Sequence, residues 1–116
     1  MKKFFESLSY AAQGLREALA SQRHLRFHVG AALVVVAAGI GLEITPGDWG
    51  LLVLAIGLVL VAELINTAVE TLVDLVEPRQ HPVAGKAKDI AAGAVLVAAA
   101  TAVVIGFIVF YKYLPL

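Results

Sequence analysis

Apolar positions at the start of the chain follow a helical rhythm. Phe4, Phe5, Leu8, Ala12, Leu15 and Leu19 recur every three or four residues, with Lys2, Lys3, Glu6, Arg16, Arg23 and Arg26 between them. That spacing predicts an amphipathic helix over residues 1–27, lying in a membrane interface with its apolar face in the acyl boundary. A soluble helix that docks on a partner would show the same pattern. From Val29 the rhythm gives way to almost unbroken apolar sequence. "VGAALVVVAAGIGL", extended by Phe27 and Ile44, predicts a first membrane span over about 28–45, with Arg26 snorkelling to the interface. "EITPGDWG" reads as a turn, with Pro46 and Gly47 as helix breakers, Asp48 as an N-cap and Trp49 in an interfacial belt. A second span follows over about 49–76, then the polar loop "EPRQHPVAGKAKD", then a third span over about 88–111. The third is rich in Ala and Gly, which lets neighbouring backbones approach closely, and it ends in the anchors Tyr111, Lys112 and Tyr113.

Composition sharpens this picture. Of 116 residues, 60% are apolar and 16% charged, against about half and about a quarter in a soluble domain. The expectation is an all-α integral membrane protein, one domain over 1–116, with a surface helix and three transmembrane helices. Nine basic and nine acidic residues balance, so no basic surplus points to nucleic acid, and no nucleic-acid partner is expected. With no cysteine there is neither a disulfide framework nor a thiolate metal site. No cleavable signal peptide is expected, because the first strongly apolar run begins only near Val29. Five Lys and Arg precede the first span, three lie between the second and third, and only Lys112 lies at the far end. That asymmetry predicts a cytoplasmic N-terminus, a cytoplasmic 77–89 loop and an external C-terminus.

One stretch breaks the lipid-like pattern. "VAELINTAVETLVDLVEP" carries Glu63, Asn66, Glu70 and Asp74 inside the second span. At about 100° per residue, Asn66, Thr67, Glu70 and Asp74 all fall within about 60° of Glu63, on one face of the helix. A charge at membrane depth costs about 2.5–3.5 kcal/mol on insertion scales, so this face must meet protein, a metal or water. Two plainer roles stand beside a catalytic one: interhelical glue for the stripe, and a solvated helix end for Asp74. Lys86, Lys88 and Asp89 enter the third helix from the same side as Asp74. Carboxylates beside lysines suit a divalent cation, Mg²⁺ above all, with a phosphate-bearing ligand. Positive-inside anchoring would also place lysines there. Gly85-Lys86 is no P-loop, since Gln80 and Ala87 stand where Gly and Ser or Thr are needed. His24, His28 and His81 lack metal-ligand spacing and read as interfacial.

"AELINTAVETLVDL" followed by "HPVAGKAKDIAAGAVL" closely resembles the prokaryotic diacylglycerol kinase/undecaprenol kinase family, and "SYAAQGLREAL" and "RHLRFHVGAAL" extend the likeness over nearly the whole chain. The resemblance implies a homotrimeric helical bundle in the bacterial cytoplasmic membrane, with composite active sites between subunits. The implied reaction transfers the γ-phosphoryl of MgATP to a lipid hydroxyl. By the same resemblance, Glu63 is the general base at the lipid hydroxyl, Glu70 binds the metal, and Asn66 orients groups in the site. Lys88 and Asp89 contact the nucleotide, Tyr10 and His81 lie near it, and Asp74 holds an acidic position of structural or catalytic weight.

One departure stands out. The family has a Glu as a second metal ligand before the first span, where this chain has Gln22, and an amide oxygen is the weaker ligand. The run from Arg23 to His28 together with "AAGAVL" looks more like the undecaprenol branch than the diacylglycerol branch. Undecaprenol is therefore the expected substrate and diacylglycerol the alternative. Rivals of another class are a small transporter or proton channel lined by the stripe, and a non-catalytic assembly subunit.

Overall fold

A computed structural model describes residues 1–115, and in these the chain is helical throughout, with no strand. Helix α1 runs Lys2–Ser21, α2 Arg23–Leu42, α3 Pro46–Val76 and α4 Pro82–Phe110, and a 3-10 turn follows over Tyr111–Tyr113. Three segments are long and apolar enough to cross a membrane: Arg23–Leu42, Pro46–Val76 and Pro82–Tyr113. In their apolar windows only 11%, 22% and 11% of residues are buried within the chain. Most of their apolar surface is therefore left for lipid or other chains to cover. An all-α fold with a separate N-terminal helix and three spans is what the hydropathy pattern predicted.

The helix ends differ from the sequence reading for identifiable reasons. The N-terminal helix stops at Ser21, because Gln22 turns to an extended conformation and α2 restarts at Arg23. Arg26 secures that bend, its Nη1 donating to the carbonyls of Leu19 and Ala20 at 2.8 and 2.9 Å. These are orphan acceptors at the end of α1, so a residue expected to snorkel instead caps a neighbouring helix. The N-cap of α3 is Thr45, not Asp48: Thr45 Oγ1 accepts from the Asp48 amide at 3.2 Å and Pro46 takes the first helical position. Helix α4 begins six residues before position 88, at Pro82. His81 Nδ1 caps it by accepting the Val83 amide at 3.1 Å, which turns much of an expected loop into helix.

Packing is concentrated on the antiparallel pair α3 and α4, with α2 laid mainly against α3. At one end Ile44, Leu52 and Val109 form a small core, with Val35, Trp49, Ile105, Phe110 and Tyr113 against it. Gly39 of α2 makes room for Trp49: a Cβ there would stand 2.7 Å from the indole Cη2. Asp48 is buried in this region and is held by Lys112 Nζ on both oxygens at 2.9 Å and by the Tyr113 hydroxyl at 2.8 Å. At the opposite end Lys88 of α4 donates to Asp74 of α3. An acid–lysine pair thus lies at each end of the α3–α4 hairpin, one from α4 itself and one from the turn that follows it.

Candidate active site

Glu63 sits in the middle of α3 and is only 4% exposed. A carboxylate at that depth needs a partner, and α2 supplies one. His28 Nε2 lies 3.1 Å from Glu63 Oε1, with the imidazole itself half-buried. One turn further along α3, Asn66 Nδ2 donates to Glu70 Oε1 at 2.6 Å. Asn66 Oδ1 is buried and has no hydrogen-bond partner. Buried amide oxygens are rarely left so, and an acceptor of this kind marks a place for a donor or a cation. Thr67 returns its hydroxyl to the Glu63 carbonyl at 2.9 Å, and Thr71 does the same to the Thr67 carbonyl at 2.8 Å. These hydroxyls are spent on their own helix, leaving the amide and carboxylates as the chemically available groups.

Two concavities flank the stripe. An apolar groove of about 420 Å³ runs between α2, α3 and α4, past Phe27, Ala31, Leu52, Val59 and Val103. Among the described residues His28 is the one polar side chain lining it, so the groove meets Glu63 through the imidazole. A second, polar hollow of about 550 Å³ lies at the turn from α3 to α4, against Asp74, Glu77, Arg79, His81, Gly85 and Lys88. The groove thus approaches one end of the stripe at His28, and the hollow meets the other at Asp74.

The remaining sequence candidates scatter around this axis. Asp74 and Asp89 are exposed, Lys88 is half-buried on Asp74, and His81 is exposed while its Nδ1 serves as the α4 cap. Tyr10 is 71% exposed on α1, and among the described residues no hydrogen bond joins it to α3 or α4. Gln22 lies half-buried at the bend between α1 and α2, its carbonyl accepting from the Arg26 amide at 3.2 Å. Among the described residues no group of three or more His, Cys, Asp or Glu could hold a metal ion. The pattern missed His28. Its signal was an imidazole on the first turns of an apolar helix, a costly position that calls for a partner.

Known proteins resemble this chain over nearly its whole length. The family model described as prokaryotic diacylglycerol kinase matches residues 9–110. An undecaprenol kinase of Bacillus subtilis is 39% identical over 110 residues, which cover 95% of this chain and 89% of that protein. A diacylglycerol kinase of Synechocystis is 43% identical over 101 residues, covering 86% of this chain and 58% of that protein. A diacylglycerol kinase of Escherichia coli K12 is 29% identical over 111 residues, covering 96% and 91%. The extent of these matches, with three membrane-length helices and a carboxylate stripe on the second, sets aside the channel and assembly-subunit readings: the chain belongs to the prokaryotic diacylglycerol kinase family and is a lipid kinase.

Proposed function

We propose that this lipid kinase transfers the γ-phosphoryl of ATP to the hydroxyl of undecaprenol, giving undecaprenyl phosphate. One observation carries the reading: a buried glutamate reached through the polar end of an apolar groove, on the same helix face as the Asn66–Glu70 pair. A long hydrocarbon suits the groove, and its terminal hydroxyl suits the His28–Glu63 end. The likeness to an undecaprenol kinase supports the choice of lipid. Relatives named diacylglycerol kinase support a second reading, in which the acceptor is diacylglycerol and the product phosphatidic acid.

In the proposed mechanism Glu63 takes the proton of the lipid hydroxyl. The lipid oxygen bonds to the γ-phosphorus as the bond from that phosphorus to the bridging oxygen breaks, releasing ADP. Such a transfer needs chiefly positioning and charge neutralisation. Lys88 supplies a point charge for a phosphate in the polar hollow, with Asp74 holding its ammonium and Asp89 beside it in sequence. His81 spends Nδ1 on the helix cap, which leaves Nε2 for the nucleotide, and Tyr10 would approach it from α1. Mg²⁺ suits a site poor in carboxylates, because phosphate oxygens and water complete its shell. Glu70 and the unpartnered amide oxygen of Asn66 are the residues that would hold it. Once bound, the ion offsets charge on the β- and γ-phosphates.

The Lys and Arg asymmetry supports a cytoplasmic N-terminus and active-site mouth in the bacterial inner membrane. We further propose a homotrimer with sites completed between subunits, which the large exposed apolar surface supports. Purified protein given labelled MgATP with undecaprenol and with diacylglycerol in parallel tests the substrate. Faster labelling of undecaprenol is expected. Faster labelling of diacylglycerol selects the second reading, and labelling of neither excludes both.

A further inference from the structure

Glu63 is the most buried acid of the stripe, and its carboxylate faces an imidazole from another helix. Its neighbours on α3 do not serve it in the same way. Thr67 gives its hydroxyl to the Glu63 main chain, and Asn66 gives its amide N–H to Glu70. Among the described residues the carboxylate has one side-chain partner, His28 Nε2, at 3.1 Å from Oε1. A glutamate side chain has three rotatable bonds, and holding a reacting group to a fraction of an ångström is worth orders of magnitude in rate.

We propose that His28 is a positioning residue for phosphoryl transfer. Its Nε2 lies within reach of Oε1 of Glu63. Donation of an N–H to that oxygen in the reacting complex would fix it, so that Oε2 is the atom left to take the lipid proton. The inference rests on the reading of Glu63 as the base. His28 stands on the first turns of α2, a separate helix from the stripe, so the contact also brings α2 against the Glu63 face of α3. As the polar lining residue of the apolar groove, His28 lies where the lipid hydroxyl must pass. The same imidazole thus orients the base and marks the polar end of the path to it.

The test compares His28→Leu, which removes the N–H, with His28→Gln, whose side-chain amide can place an N–H near the same point. Glu63→Gln serves as the reference in the same assay. His28→Leu is expected to lower kcat about 10- to 100-fold with KM for MgATP unchanged, the range seen when groups that orient a reacting ligand are removed. His28→Gln should recover to within about fivefold of wild type. Adding His28→Leu to Glu63→Gln should produce no further loss, because the imidazole acts through the carboxylate. In protein labelled with ¹⁵N-histidine, the His28 Nε2 resonance should move on Glu63→Gln, a readout independent of turnover. Equal losses in the Leu and Gln variants, wild-type activity in His28→Leu, a loss confined to KM, or an unmoved Nε2 resonance would each overturn the proposal. Near wild-type activity in Glu63→Gln alone would instead show that Glu63 is not the base, and would overturn the underlying reading with it.

Discussion

Glu70 and Lys88 mark the two residues whose substitution best separates chemistry from architecture. Glu70 touches Asn66 on its own helix, and among the described residues no bond from it holds another element. Glu70→Ala is therefore expected to lower kinase activity at least about 100-fold, the scale of removing an electrostatic partner of the transferring phosphoryl group, with an unchanged elution profile in detergent. A role as interhelical glue would reverse that outcome, losing assembly with or before activity. Lys88 does bridge two helices, but the pair is exposed, with side chains 38% and 58% accessible. Exposed pairs contribute less than about 1 kcal/mol. Lys88→Ala should accordingly leave the thermal midpoint nearly in place while raising KM for ATP several-fold. An equal shift in both would make the lysine a strut.

Among elements, the contact of α2 with α3 depends on one absent side chain. Gly39 faces the Trp49 ring, and an added Cβ would meet Cη2 at 2.7 Å, Cζ2 at 3.0 Å and the Ile44 Cδ1 at 3.2 Å. All three belong to packed side chains, so relief requires moving the indole or parting the helices. Gly39→Ala should cost about 1–3 kcal/mol as overpacking, read as a lower unfolding midpoint in detergent. The same change at Gly41, where nothing lies within 4 Å, should be neutral or mildly stabilising. A Gly39 variant as stable as wild type would show that α2 is not seated on Trp49.

The hydropathy pattern made the helices legible, because a run of apolar residues as long as those of α3 and α4 has few alternatives to a span. It also placed Glu63, Asn66, Glu70 and Asp74 on one face. Helix ends were less legible. Thr45 displaced Asp48 as the α3 cap because Pro46 follows it and supplies the first helical position. His81 capped α4 through a side-chain nitrogen, so helix began inside a segment whose polarity suggested loop. Of the contacts between helices, only the nearness of Lys88 to Asp74 was legible. Neither His28 on Glu63 nor Lys112 and Tyr113 on Asp48 follows from spacing within one helix.

For the whole molecule, the decisive quantity is surface the chain cannot bury alone. Leu33, Val34, Val53, Leu54, Leu96, Val97 and Phe107 are each more than half exposed along the spans, and Tyr10 stands exposed on α1. Lipid can cover the former. The exposed Tyr10 would gain a neighbour from a second copy of the chain in the proposed trimer. Cross-linking in detergent or nanodiscs should yield species of up to three copies. Monomers that retain full activity would remove the composite site.

The acid–lysine fastening of α3 at Asp48 turns that helix into a depth gauge. About fifteen residues, or roughly 22 Å of helix, separate Asp48 from Glu63, against a hydrocarbon core about 30 Å thick. In the proposed orientation, with Asp48 at the outer boundary, the carboxylate would hang roughly 8 Å short of the inner one. Under the proposed assignment of Glu63 as the base, an acceptor hydroxyl would have to reach that level to be phosphorylated. Deleting a single residue between Leu52 and Glu63 would lift the acid by about 1.5 Å and swing it about 100° away from His28. Phosphorylation of lipid should then vanish even where the protein still inserts, a separation that activity and membrane-integration assays on the same preparation would reveal.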